Sequence, residues 1–575
     1  MKTESPVNGS CHCSAAEAVK VLYARPTTNP GAVLEVAPPT RAQAGARADV
    51  VLTGRFITMN PDQPTAEAIA VQNGRIIAIG TASDVDGYLD ANTRRLALAD
   101  GYVTPGLVEP HMHYTMGAVT EGWVNCSPFD GKSYDDVLVL IHNAGPVLGD
   151  WTLGMNYDPS LLPGSPELTV QVLDAVVHDR PVFVLNASGH LAYVNSEALR
   201  RAGITKDTPN PTGASYGRDA NGDLTGVLSE SAAMTAVIKQ IPVASQNVAK
   251  SLVNISKLAA SRGVTRMHDA GTGGIAGQHD VDVLHQVASH LWCRSSYAVI
   301  DGAADEIIVR NGLKPFAGDD MMRATHWKYV SDGSNQGYTG YQVEPYLGRA
   351  TRGSANYTPQ ALQERLALAA SLNWPTMVHA NGDAAIAMVI EAYRIAVGAE
   401  KNAVLRNRIE HCSFTTDQNL TDMRELSLSP SFLMNHVYFW GAAFRDTIMG
   451  EPKADHLDRV ASALKAGLRA SVHSDFTVTQ IDPLLEAQTA ATRIMRANGE
   501  VLNPAERVTV ADALSLITTN AAWQLHSEKD VGSLRVGAFA DLAVLDSNPL
   551  TTEAAALGAI KVYATYLGGE QKYSA

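Results

Sequence analysis

The chain has 575 residues, 45% of them hydrophobic and 18% charged, a composition that gives a folded protein enough apolar mass for a large core and excludes bulk disorder. A net charge of −14 opposes a dedicated role on nucleic acid or an anionic membrane surface. The five cysteines are too scattered for a disulfide framework and fit a reducing cytoplasm.

Residues 1–45 read as a flexible N-terminal segment, broken by Pro6, Gly9, Pro26, Pro30, Gly31, Pro38 and Pro39. The start lacks the basic and apolar runs of a secretory signal. Cys11-His12-Cys13 has no second ligand pair nearby, so a flexible tail is favoured over a metal site there. From Ala48 short strand-like runs begin: Asp49–Thr53, then Ala68–Val71 and Arg75–Gly80 joined by Asn73-Gly74, which predicts a β-hairpin. A similar texture returns at Gly532–Asp546, and segments at opposite chain ends can share one small sheet domain, here 46–102 with 530–575.

Between them, 103–529 alternates short β-like runs with helical patterns, as in a parallel α/β sheet. Eight candidate strands are Tyr102–Glu109, Pro181–Asn186, Val264–Asp269, Trp327–Ser331, Thr376–His379, Arg408–His411, Leu428–Leu433 and Arg469–Asp475. They predict a (β/α)8 TIM-like barrel, with helices such as Thr358–Leu372 carrying Leu362, Leu366, Ala369 and Leu372 on one face. Residues 114–180 and 187–263 are then insertions that cover the site. The longest uncharged run, Leu426–Phe444, holds Ser427, Ser429, Pro430, Asn435 and His436 and reads as a buried strand plus loop rather than a membrane span.

The chemistry gathers at strand ends. His111-Met112-His113 closes the first strand; residues i and i+2 of a strand face the same way, so both imidazoles enter the barrel together. Neutral imidazole is a good Zn ligand, and two on one rigid strand form half a site. His379, His411 and Asp475 close three further strands, where barrel enzymes place their chemistry. Five such residues point to a divalent metal centre.

The run Val103-Thr104-Pro105-Gly106-Leu107-Val108-Glu109-Pro110-His111-Met112-His113 resembles the strand-one signature of the amidohydrolase superfamily. Ser188-Gly189-His190 with Asn195-Ser196, Gly226-Val227-Leu228 with Glu230, Gly263-Val264-Thr265 with His268-Asp269, His379-Ala380-Asn381-Gly382-Asp383, Arg408-Ile409-Glu410-His411 and Ser474-Asp475 are similar to its large-chain branch of N-substituted formamide deformylase-like amidohydrolases. Gly532-Ser533-Leu534, Gly537 and Ala540-Asp541-Leu542 extend the resemblance, which spans roughly 46–570. It implies a (β/α)8 barrel with a small composite β-sandwich domain from both chain ends, and a site for one or two divalent ions, Zn2+ foremost, although Mn and Fe(II) suit the same ligands.

Lys328 lies on an apolar strand aimed at the barrel centre. An ordinary lysine would snorkel to the rim; its position matches the carboxylated lysine that bridges two metals in binuclear members, a carbamate open to a buried lysine of lowered pKa. The implied ligand set is His111, His113, carboxylated Lys328 and Asp475 for one ion, and Lys328, His379 and His411 for the other. A metal-bound hydroxide would attack the substrate carbonyl, with Asp475 shuttling the proton to the leaving nitrogen. His190 is a candidate for holding the carbonyl oxygen, and His436 for lining the substrate pocket. Trp123, Tyr157 and Trp440 are expected to form an aromatic wall beside it. His268, His326 and His473 read as packing groups.

The leading expectation is therefore a metal-dependent hydrolase cleaving the C–N bond of an N-substituted amide, formamide or N-acyl compound. Its partner would be a small-molecule amide-type substrate, not nucleic acid or membrane, and a homodimer is the default assembly. Hydrolytic deamination of a nucleobase-like ring is the rival in the same fold, but deaminases place a Glu three residues after the strand-five histidine, where this chain has Gly382. Carbamate or lactone hydrolysis stays open. A non-catalytic regulator should have lost part of the ligand set, and none is lost.

Overall fold

The computed structural model describes residues 46–575 apart from 163, 212–213, 230 and 243–246. The expected flexible segment 1–45, its Cys11-His12-Cys13 triplet and Glu230 lie outside the described residues.

Eight parallel strands form the centre: β1 (Leu107–Met112), β2 (Val264–Thr272), β3 (Arg294–Ile300), β4 (Met322–Val330), β5 (Thr376–Ala380), β6 (Arg408–His411), β7 (Ser429–Phe432) and β8 (Ser471–Val472). Each pairs in parallel with the next in this order. β8 and β1 share no regular ladder, yet their continuations meet. The Asp475 N–H donates to the His111 carbonyl at 3.2 Å and the His113 N–H to that of Phe476. The buried Glu109 carboxylate fills the gap below, accepting from the Ser474 N–H at 3.3 Å and the His111 N–H at 3.4 Å. This is a TIM-like barrel, nearly closed. Gly106 lets its first two strands approach, because a Cβ there would stand 2.0 Å from Thr265 Oγ1.

One expected barrel strand is corrected. Residues Val182–Asn186 form a strand, but it lies inside a separate six-stranded sheet with Val124–Asn125, Thr152–Tyr157, Leu191–Val194, Ser215–Arg218 and Leu224–Ser229. Val182 and Val184 pack on one face of that sheet and Phe183 and Leu185 on the other, so the strand is buried on both sides as a barrel strand would be. β3 takes its place in the barrel, and the two expected insertions are parts of one inserted unit between β1 and β2.

Strands from the two ends of the described chain share one sheet. Val50–Ile57, Thr65–Gln72, Arg75–Gly80 and Arg94–Pro105 join Leu542–Leu545, Val562–Leu567 and Glu570–Ser574 in one seven-stranded mixed sheet. The hairpin turn has Asn73 and Gly74 at φ 51° and 76°, as an Asn-Gly turn requires. Around the barrel, helix Pro359–Ser371 buries Leu362, Leu366 and Ala369. Leu372, expected on the same face, is its C-cap and stays 39% exposed. Among the described residues no helix is long and apolar enough to cross a membrane.

Candidate metal centre and catalytic cavity

His111, His113 and Asp475 converge at the top of the barrel. His111 Nε2 and His113 Nε2 each lie 3.3 Å from Asp475 Oδ1. Ligands on a tetrahedral Zn2+ with bonds of about 2.1 Å stand roughly 3.4 Å apart, so the three atoms already have the spacing of a metal half-shell. Asp475 Oδ1 and His411 Nδ1 are buried without a hydrogen-bond partner, as unligated metal donors would be. The residues present fit a divalent ion.

The other predicted ligands are close by. The His411 ring lies 5.0 Å from that of His111 and 4.5 Å from that of His379, and His411 Nδ1 is 3.9 Å from Asp475 Oδ2. Lys328, 1% exposed on β4, places Nζ 3.1 Å from His111 Nε2. All six predicted ligands therefore meet in one place. His379 Nε2 is also 3.1 Å from the Gly333 carbonyl and 3.4 Å from Asp332 Oδ1, which hold the ring over the β4 loop.

Local backbone geometry makes this convergence. Consecutive strand residues face opposite sides, yet Glu410 and His411 both reach the centre because His411 has φ 67°. Asp475, just past β8, has φ 52°. Left-handed backbone at two non-glycine residues is costly and is found where surrounding structure fixes a functional side chain.

The electrostatics keep the donors in their ligating forms. Burial pushes His111 down, with Lys328 adding to the effect, and pushes His411 well down, with His379 adding, so both imidazoles are neutral. Burial alone would raise Glu410, but Arg408 and then His111 hold it ionised. Burial would likewise raise Asp475, and His111, His113 and His411 keep it well below the usual carboxylate range.

Sequence reasoning left Glu410 without a role. Its Oε2 takes the Nδ1 side of His111 at 2.5 Å and accepts from Arg408 at 2.8 Å. Its place beside His411 in Arg408-Ile409-Glu410-His411 was the available signal. A second donor triplet, His111, Glu410 and His473, lies beneath. There the His473 ring stacks on His111 with centroids 4.4 Å apart, both its nitrogens are unpaired, and burial pushes it well down, so it packs as a neutral ring. Asp332 was also unassigned; it accepts from the N–H groups of Tyr341, Asn381 and Gly382, tying the β4 and β5 loops together. Asp269, likewise unassigned, borders the cavity and is held by Thr115 and Thr272.

The cavity above the ligands is roofed by the inserted unit. Asn186 through His190 line it together with Lys328, His379, His411, His436 and Asp475. His190 is held in a tight turn: its N–H donates to Ser188 Oγ at 3.2 Å, and Gly189 has φ 72°. His436 lines the cavity with Nδ1 turned back, 3.4 Å from Ser413 Oγ and 3.9 Å from Asp458. Burial pushes it down to about 3.

The aromatic wall is not found. Tyr157 is fully buried in the core of the inserted sheet, edge-on to Tyr193 at 5.1 Å. Trp440 is fully buried, donates to Asp158 Oδ2 at 2.9 Å and meets the His436 ring edge-on at 5.7 Å from behind. Trp123 borders a neighbouring cavity with Phe129, Ile255 and Phe476. Each aromatic finds its apolar contacts in a core before it can reach the site.

Known proteins of this kind are recognisable. Protein LONG AFTER FAR-RED 3 of Arabidopsis thaliana is 26% identical, over 92% of this chain and 92% of its own length. The N-substituted formamide deformylase of Arthrobacter pascens is 28% identical, over 91% of this chain and 98% of its own length. A metal-dependent hydrolase of Pyrococcus horikoshii OT3 shares the fold, with a TM-score of 0.69 at 21% identity over 88% of this chain and 99% of that one. Residues 96–573 match the model of the amidohydrolase family. The chain belongs to that family, and it is a hydrolase acting on carbon–nitrogen bonds.

Proposed function

We propose that this protein is a metal-dependent hydrolase of N-substituted amides, formamides or N-acyl compounds. The observation that carries the reading is the convergence of His111, His113 and Asp475 beneath a cavity also lined by Lys328, His379 and His411. His111, His113 and Asp475 would hold one divalent ion, and His379 and His411 a second, with a carboxylated Lys328 between them. Bound there, zinc or a similar ion would supply Lewis acidity and lower the pKa of water towards about 7. We place the protein in the cytoplasm, and read the seven-stranded sheet of the chain ends as the composite β-sandwich domain.

The chain's own residues then do the following. Asp475, kept ionised, takes a proton from the attacking water and returns it to the leaving nitrogen. His190 reaches in from the inserted unit to donate to the substrate carbonyl oxygen. Glu410 fixes His111 with Nε2 facing Asp475. The inserted unit covers the reaction from water.

Ring deamination fits less well. At Gly382 a Cβ would stand 1.9 Å from the Tyr341 carbonyl oxygen, so no glutamate can occupy that position. The test is a panel of N-substituted formamides, N-acyl amines and amino-substituted heterocycles offered to protein loaded with Zn2+. Release of free amine from the amides supports the reading; ammonia from the heterocycles alone would overturn it.

A further inference from the structure

A second cavity, of about 320 Å3, lies against the catalytic one and shares Asn156, Thr477 and Val478 with it as a common wall. Much of the remaining wall is apolar. Trp123, Phe129 and Ile255 are buried, Phe476 is half-buried, and Leu258 stands at the outer rim, 43% exposed.

The backbone that carries the metal ligands runs directly into this side cavity. The short helix Tyr114–Val119 follows His113, and its Gly117 N–H donates to the His113 carbonyl at 2.8 Å. Phe476, Thr477 and Val478 follow Asp475; there the Val478 N–H donates to the Asp475 carbonyl at 2.7 Å, and the His113 N–H to that of Phe476. The two segments meet at Gly117. A Cβ there would stand 2.6 Å from the Phe476 ring, 3.2 Å from Ile255 and 3.3 Å from Thr477, so a glycine lets these side chains close the wall. On the inserted unit, Asn156 has φ 64° at a break in the pairing of Thr152–Tyr157 with Val182–Asn186, and such a bulge re-aims a strand residue.

Size divides the two spaces. The catalytic cavity holds about 100 Å3, less than the roughly 150 Å3 that takes one benzene ring and below the roughly 300–1,000 Å3 of ordinary ligand sites. It has room for the reacting group alone. The side cavity has room for a ring, and its aromatic walls suit one.

We propose that the side cavity receives an apolar substituent on the scissile nitrogen, so that the enzyme selects amides and formamides whose N-substituent is an aryl or branched alkyl group. Asp475 returns its proton to that nitrogen, and the chain from Asp475 through Thr477 and Val478 forms the cavity's wall. The leaving amine's side of the bond is therefore the one that faces it. This rests on the amide-hydrolase reading above and narrows its substrate class.

The experiment compares N-methyl, N-benzyl and N-naphthylmethyl amides of one acid on the Zn2+-loaded full chain, read as ratios of kcat/KM. The parent prefers benzyl over methyl by about 10- to 100-fold, from burial of the ring. Leu258→Trp, at an exposed helix position, fills the cavity and lowers that ratio by about tenfold. Ile255→Ala widens the cavity and raises the naphthylmethyl-to-benzyl ratio by about tenfold. A general loss of stability would not move two ratios in opposite directions. A benzyl-to-methyl ratio near one in the parent, or either ratio unmoved by its variant while amides are still cleaved, overturns this proposal alone and makes the space an entry path. If the parent protein cleaves no amide at all, the underlying reading fails and this one falls with it.

Discussion

Glu410 Oε2 lies 2.5 Å from His111 Nδ1, with both side chains fully buried. A carboxylate behind a ligating imidazole fixes its tautomer and raises its basicity. Glu410→Gln keeps the shape and removes the charge. It should weaken Zn2+ affinity about 10- to 100-fold, read by competition with a chelator, with the circular dichroism spectrum retained. Unchanged affinity would show that Glu410 serves only to neutralise Arg408.

Asp475→Asn tests proton transfer. The amide keeps the volume and one oxygen but cannot shuttle a proton, so kcat should fall by about 10^2- to 10^4-fold while the fold persists. Turnover within a few-fold of the parent would remove Asp475 from the mechanism.

Lys328→Ala tests the bridge. The variant should lose bound metal and activity, and a short carboxylic acid such as acetate or propionate should restore part of both by occupying the vacated space. Full activity without added acid would contradict a bridging role.

His436 gives a signed pH prediction. Its folded pKa is pushed down to about 3 by burial, whereas an unfolded histidine titrates near 6.5. The unfolded chain therefore binds the extra proton first, and stability is complete above about pH 6.5 and lost as pH falls from there towards about 3. Between pH 6.5 and 5 the loss from this group is about 2 kcal/mol. Denaturant unfolding of the parent and His436→Gln at both pH values measures it. The stability gap between them should shift towards the variant on acidification; a constant gap would contradict a buried neutral imidazole.

The site was more legible than its surroundings, for physical reasons. His111, His113, His379, His411 and Asp475 could be found because strand ends announce themselves as apolar runs stopping at a polar residue. Val182–Asn186 misled because a run buried on both faces looks the same in any sheet. β3 escaped because it opens with Arg294-Ser295-Ser296, polar residues whose pairing only the folded chain shows. Arg294 bonds Asp541 at 2.7 Å, Ser295 bonds Tyr114 at 2.6 Å and Ser296 lies 2.9 Å from His268. Glu410 needed the left-handed turn at His411, which no alternation rule foresees. The aromatic wall failed because the cores around Tyr157 and Trp440 take those rings first.

Metal content per chain, by plasma mass spectrometry on protein purified without added metal, tests the centre most directly. About two zinc or similar ions per chain are expected, shared by His111, His113, Lys328, His379, His411 and Asp475. One ion would contradict the Lys328 bridge, and none, even after reconstitution, would contradict the metal centre itself.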